Sequence, residues 1–149
     1  MNLLKLTLSV FLLSLITNAF SQSNSVYIII DETAEDIEQL ASEFSNQSNV
    51  YFADGSSLNA IDQISDSEKD IQIGELHIYA ATKPGAIVFS SIAITMNNES
   101  DWSPYLKEWA VVISTQIVIH SKVVFSGEEG IQLKQRLEEI SGLVFTTQH

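Results

Sequence analysis

Val26-Tyr27-Ile28-Ile29-Ile30 is the stretch on which the fold turns. The run is continuous, apolar and β-branched. It lacks the polar alternation of a half-exposed strand, so it predicts a strand covered on both faces. The next residues change period. Ile37, Leu40, Ala41 and Phe44 recur at helical spacing, behind Thr33 and Asp36, which stand three apart as in a capping box. Val50-Tyr51-Phe52 reads as a second strand, Asp54-Gly55-Ser56 as a turn, and Leu58, Ile61 and Ile64 as one face of a short helix. Ser65 to Asp70 is a charged surface loop, and Leu76-His77-Ile78-Tyr79-Ala80 is a third strand. After the turn Lys83-Pro84-Gly85, two short strands are expected at Ala86 to Phe89 and Ile92 to Met96. Ser103-Pro104 has the form of a helix start, with Leu106, Trp109 and Ala110 as its apolar face. Gln116 to Ile119 is the next central strand. Glu128 and Glu129 then suit a helix N-terminus, Leu133, Leu137 and Ile140 form its buried stripe, and Gly142 closes it before the strand Leu143-Val144-Phe145. The order predicts an α/β fold: a mostly parallel central sheet with helices on both faces.

The N-terminus obeys other rules. Lys5 precedes a Leu-rich run from Leu6 to Ile16, and small residues follow at Ala19 and Ser21. The run spans roughly 16 Å as a helix, against the roughly 30 Å of a bilayer core. Residues 1–21 therefore read as a cleaved signal peptide, with Gln22 as the new N-terminus, residues 22–149 as one domain and no stable membrane anchor after cleavage. The expected location is outside the cytoplasm, in the periplasm or the extracellular space.

The chain has 19 acidic and 7 basic residues, and its formal charge of −12 becomes more negative once Lys5 leaves with the leader. Such a surface repels nucleic acid and anionic lipid and suits a cationic ligand or an unknown protein partner. With no cysteine, the domain has no disulfide, no zinc–thiolate site and no thiol nucleophile. Asn46-Gln47-Ser48 and Asn98-Glu99-Ser100 match the glycosylation sequon, which matters only in a eukaryotic secretory pathway.

Chemistry in open parallel sheets gathers at the carboxyl ends of strands. Asp31, Asp54, Ala81-Thr82 and His120-Ser121 stand at those ends. Asp31 reads as a helix-dipole partner, Asp54 as a turn residue and His77 as a satisfied core histidine. His120 and Ser121 are adjacent on a strand, so their side chains point to opposite faces and do not readily work together as base and nucleophile. There is no Gly-x-Ser-x-Gly elbow, no His-Glu-x-x-His, no EF-hand loop and no Gly-rich phosphate turn. The acidic residues Asp31, Glu32, Glu35, Asp36 and Glu38 read as a solvated helix face. No cofactor or metal is implied.

The order of elements and the stretch Leu76-His77-Ile78-Tyr79-Ala80-Ala81-Thr82-Lys83-Pro84-Gly85-Ala86 resemble the bacterial family called domain of unknown function 4347. That family shows a strand, then Ser-His-Gly, a Pro-Gly or Gly, and a short strand pair. Later comes a strand ending in Tyr-Gly-Cys. The later element has its counterpart in Gln116-Ile117-Val118-Ile119-His120-Ser121-Lys122-Val123-Val124, then Gly127, Gly130 and the helix to Gly142. Tyr27 to Asp31 resembles the family's first strand, and Asp36 to Leu40 and Ala60 to Ile64 its first two helices. The resemblance runs from Val26 to Thr147. The family's elements are in turn similar to those of caspase- and gingipain-like cysteine peptidases. The resemblance therefore implies a three-layer, caspase-like (Rossmann-like) sandwich. It also implies a His–Cys dyad, but here the His position falls on Ala81, its Gly on Thr82, the Gly before the Cys on His120, and the Cys on Ser121. Every position that would do the chemistry is changed. The expectation is an exported, catalytically silent domain acting by binding or as an accessory surface or periplasmic protein. The alternative is a diverged serine hydrolase using Ser121, with His77 or His120 as base and Asp31 as orienter.

Overall fold

The computed structural model describes residues 25–53, 59 and 72–149. The leader, Asp54, the short helix expected around Leu58 to Ile64 and the Ser65 to Asp70 loop lie outside the described residues.

Five strands form one parallel sheet: β1 (Val26–Asp31), β2 (Val50–Ala53), β3 (Ile73–Tyr79), β7 (Ile113–His120) and β8 (Val144–Gln148), in the order β2-β1-β3-β7-β8. The run that opens the fold lies inside this sheet, between β2 and β3, and Ile29 and Ile30 are wholly buried. Three short strands, β4 (Ala81–Lys83), β5 (Ala86–Val88) and β6 (Ala93–Ile94), make a separate antiparallel sheet. It follows directly on the carboxyl end of β3.

Alternation along the strands divides the core in two. Tyr27, Ile29, Leu76, Ile78, Ile117 and Ile119 belong to the larger core cluster. The helices α2 (Glu99–Val112) and α3 (Gly127–Ser141) add Trp102, Leu106, Trp109, Leu133 and Leu137 to it. Ile28 and Ile30, on the other face, meet Ala34 and the side chains Ile37, Leu40 and Phe44 at the helix α1 (Ile37–Glu43). The chain runs outward from β1 to β2 and, in the other direction, from β3 through β7 to β8. The order thus reverses between β1 and β3, and such a switch opens a crevice beyond the carboxyl ends of the strands.

Two helix starts differ from the sequence reading. Thr33 does not cap α1: the helix begins at Ile37, behind Asp36 at φ 56°, with no side-chain cap. Thr33 turns instead toward Asp31 and the small sheet, where it has partners from three elements. Likewise α2 begins at Glu99, and Pro104 lies inside it. Thr95 and Asn98 start the turn earlier: the Asn98 carboxamide oxygen accepts from the Thr95 N–H at 3.1 Å, and the Thr95 hydroxyl from the Asn97 N–H at 3.3 Å. Pro104 is the sixth residue of α2, beyond the four N–H groups that a helix start leaves unpaired, so the helix goes without the bond its N–H would make to the Ser100 carbonyl. The end of α3 matches expectation, with Gly142 at φ 72° and its N–H on the Glu138 carbonyl at 2.8 Å. Among the described residues, no helix is long and apolar enough to cross a membrane.

Candidate functional site

A cleft of about 490 Å³ lies at the carboxyl edge of the sheet, between the approach to α1 and the ends of β3 and β7. Asp36, Leu40, Tyr79, Thr82, His120 and Ser121 are among its walls. It adjoins the crevice that the strand order predicts.

Asp31, at the end of β1, is fully buried. Its carboxylate accepts from the Thr33 N–H at 2.9 Å and from the Ser90 N–H at 3.1 Å, and the Thr33 hydroxyl lies 2.7 Å from Oδ1. The same hydroxyl is 2.7 Å from the Val88 carbonyl and accepts from the Ala81 N–H at 3.1 Å. Asp31 and Thr33 thus pin the small sheet against the end of β1. A dipole partner for the next helix was the expectation; a knot between two sheets is what the residue forms.

Ser121 is buried just beyond β7. Its oxygen accepts from the N–H groups of Val123 at 3.1 Å and Val124 at 3.0 Å, and lies 2.8 Å from the Thr82 hydroxyl. A serine hydroxyl has two acceptor lone pairs and one proton. Both lone pairs here are taken by backbone, which leaves the proton for Thr82. Among the described residues, no histidine nitrogen lies within hydrogen-bonding distance of that oxygen.

His120, the preceding residue, points to the other face and meets different partners. Its Nε2 is 2.9 Å from Nδ1 of His77, and Nε2 of His77 is 3.4 Å from the Glu75 carboxylate. The Tyr79 ring stacks on His120 with centroids 3.8 Å apart and planes 12° from parallel. Glu75, His77 and Tyr79 alternate along β3 and so share one face. That spacing is visible in the sequence, but only the pairing of β3 with β7 shows that His120 completes the group. Burial, followed by the proximity of His77, lowers the His120 imidazole to about 4, so the ring is neutral at ordinary pH. Burial, then the Glu43 charge, raises the Tyr79 phenol above its usual value. His77, expected to be a satisfied core histidine, is half-buried and satisfied by two side chains.

Ala81 offers only its backbone N–H to this region. Thr82, named from the sequence only as part of a strand end, and Tyr79, not chosen from it, do more: one fixes Ser121, the other His120. Among the described residues, no three His, Cys, Asp or Glu side chains come together as a metal cage.

Residues 27–148 match the family model for a domain of unknown function, DUF4347. The chain belongs to the DUF4347 family. No curated protein matches the chain, and neither does any solved structure. The DUF4347 match covers every strand among the described residues but for the first residue of β1. The Asp31 knot, the histidine pair and, but for His149, the cleft lining lie within it.

Proposed function

We propose that this DUF4347 chain is an exported domain that works by binding and not by catalysis, its ligand taken in the carboxyl-edge cleft. The observation that carries this is the state of Ser121. The resemblance to caspase- and gingipain-like peptidases puts a nucleophile at this position and its base at Ala81. The Ser121 oxygen instead closes the loop after β7, and a methyl group stands where the base would be. A nucleophile needs an oriented base to take its proton. The Ser121 proton has Thr82 as its neighbour. Export rests on the N-terminal sequence, with its single Lys5, short Leu-rich run and small residues at Ala19 and Ser21.

The competing reading is a serine hydrolase built on Ser121, favoured by the position of that residue on the cleft wall. One preparation separates the two. Protein recovered from outside the cytoplasm is sequenced from its N-terminus and treated with a serine-directed phosphonylating probe, beside Ser121→Ala. The binding reading expects a chain beginning at Gln22 and no labelling of Ser121. Labelling that disappears in Ser121→Ala establishes the hydrolase. A chain that keeps its leader and stays in the cytoplasm removes export.

A further inference from the structure

Glu75, His77 and His120 make a directional chain of hydrogen bonds, and its direction fixes where each proton sits. An ionised carboxylate only accepts, so the contact between Glu75 and His77 puts the His77 proton on Nε2. A neutral His77 then has a lone pair on Nδ1. That atom faces His120 at 2.9 Å, so His120 donates from its own Nε2. The ring centroids, 5.2 Å apart, fit two imidazoles aimed at each other along this bond. One nitrogen remains, Nδ1 of His120, and it carries no proton.

That nitrogen is accessible. Among the described residues, no buried side-chain nitrogen or oxygen lacks a partner, and Nδ1 of His120 has no hydrogen-bond partner. It therefore keeps some contact with solvent, and His120 is one wall of the cleft. The Tyr79 stack holds the ring in place. Across the cleft stand Glu35 and Asp36, with Leu40 as an apolar wall and Lys122 as the one lysine in the lining. The cleft volume lies within the range of about 300–1,000 Å³ typical of small-ligand sites.

We propose that Nδ1 of His120 is the recognition atom of this cleft, and that the ligand meets it with a cationic N–H donor, an ammonium or guanidinium group on a short apolar stem. The proposal rests on the binding reading above and deepens it. The Glu75–His77 pair acts as a positioning device that sets the His120 tautomer. The acids on the facing wall favour the charge, and the bare nitrogen demands the donor. Hydrogen bonds with a charged partner are the stronger kind.

The test uses two probes of equal charge and equal stem, butylammonium and butyltrimethylammonium, of which only the first has an N–H. First, long-range ¹⁵N–¹H spectra of the free exported protein assign the His120 tautomer; the expected proton is on Nε2. Each probe is then titrated into wild type, His120→Phe and His77→Phe while the histidine signals are followed. Butylammonium should bind about tenfold more tightly than its methylated counterpart, the size of one charged hydrogen bond. That preference should vanish in His120→Phe, whose ring can still stack on Tyr79, and shrink in His77→Phe. A free His120 protonated on Nδ1 overturns the proposal whatever the variants do. So does equal binding of the two probes, or a preference that survives His120→Phe. If only an anionic probe such as butanoate binds, the proposal falls and the binding reading stands. If none of the three probes binds, the proposal falls here too, and the binding reading then depends on the phosphonylation result alone.

Discussion

His120 and Ser121 are neighbours on the chain, and the sheet puts them to opposite uses. Ser121 points into the junction between the two sheets, where backbone N–H groups take both its lone pairs. His120 points to the face that α1 covers, is stacked on Tyr79, and lines the cleft. The difference follows from strand alternation at the last residues of β7. It also separates two kinds of polar residue at a carboxyl edge. One is consumed by the fold, and its removal is felt as lost stability. The other is held by the fold, and its removal is felt at the cleft. Asp31 stands with Ser121 in the first group, since all the contacts described for it join segments of the chain.

The largest expected loss is at Asp31. Asp31→Ala strips the buried acceptor from two backbone N–H groups and the Ser90 hydroxyl, and should cost about 3 kcal/mol in a urea titration. Ser121→Ala is next, at about 2 kcal/mol, since it leaves two N–H groups of the loop after β7 unsatisfied. A serine kept poised for catalysis would behave otherwise: its replacement by alanine would leave stability unchanged or raised and would abolish turnover. A Ser121→Ala protein as stable as wild type breaks the comparison, because Ser121 would then belong with His120.

Much of the framework is legible without coordinates, because continuous apolar strands and helical stripes are local signals. β1, β3, the Leu133–Leu137 stripe and the Gly142 terminus all appear where their own residues put them. The errors arise where a distant partner outbids a near one. Thr33 has the spacing of a helix cap, yet the Val88 carbonyl, brought close by the small sheet, draws its hydroxyl away from α1. Ser103-Pro104 is a strong local start, but the reciprocal Thr95 and Asn98 contacts begin the helix before it. The use of Ser121 was within reach of sequence reasoning, since a serine bonding the N–H groups two and three residues on is a common local motif. The histidine pair was not. His77 and His120 are 43 residues apart, and only the side-by-side parallel pairing of β3 and β7 makes them neighbours.

The smallest expected effect is on pH dependence, and it tests the same division from the other side. Burial first, and His77 second, lower the His120 pKa from its ordinary 6.5 to about 4. Below about pH 6.5 the unfolded chain therefore binds a proton at this residue that the folded chain refuses. Stability is thus lost as pH falls from about 6.5 toward 4, and levels off once both states are protonated. The groups facing the ring are His77, Glu75 beyond it, Tyr79 stacked upon it and, in the cleft that it lines, Glu35, Asp36 and Lys122. Protonating His120 places a charge beside a second imidazole, and the Nε2–Nδ1 bond can persist only while the pair holds a single positive charge at most. The measurement is the difference in unfolding free energy between wild type and His120→Phe across this window, since carboxylates that titrate in both proteins cancel. Wild type should lose more than the variant between pH 6.5 and 4, by an amount moderated by the solvent that reaches the half-buried ring. Parallel curves would mean that His120 titrates as a free surface histidine. It would then belong to neither group: not spent on the fold as Ser121 is, and not held by it for the cleft.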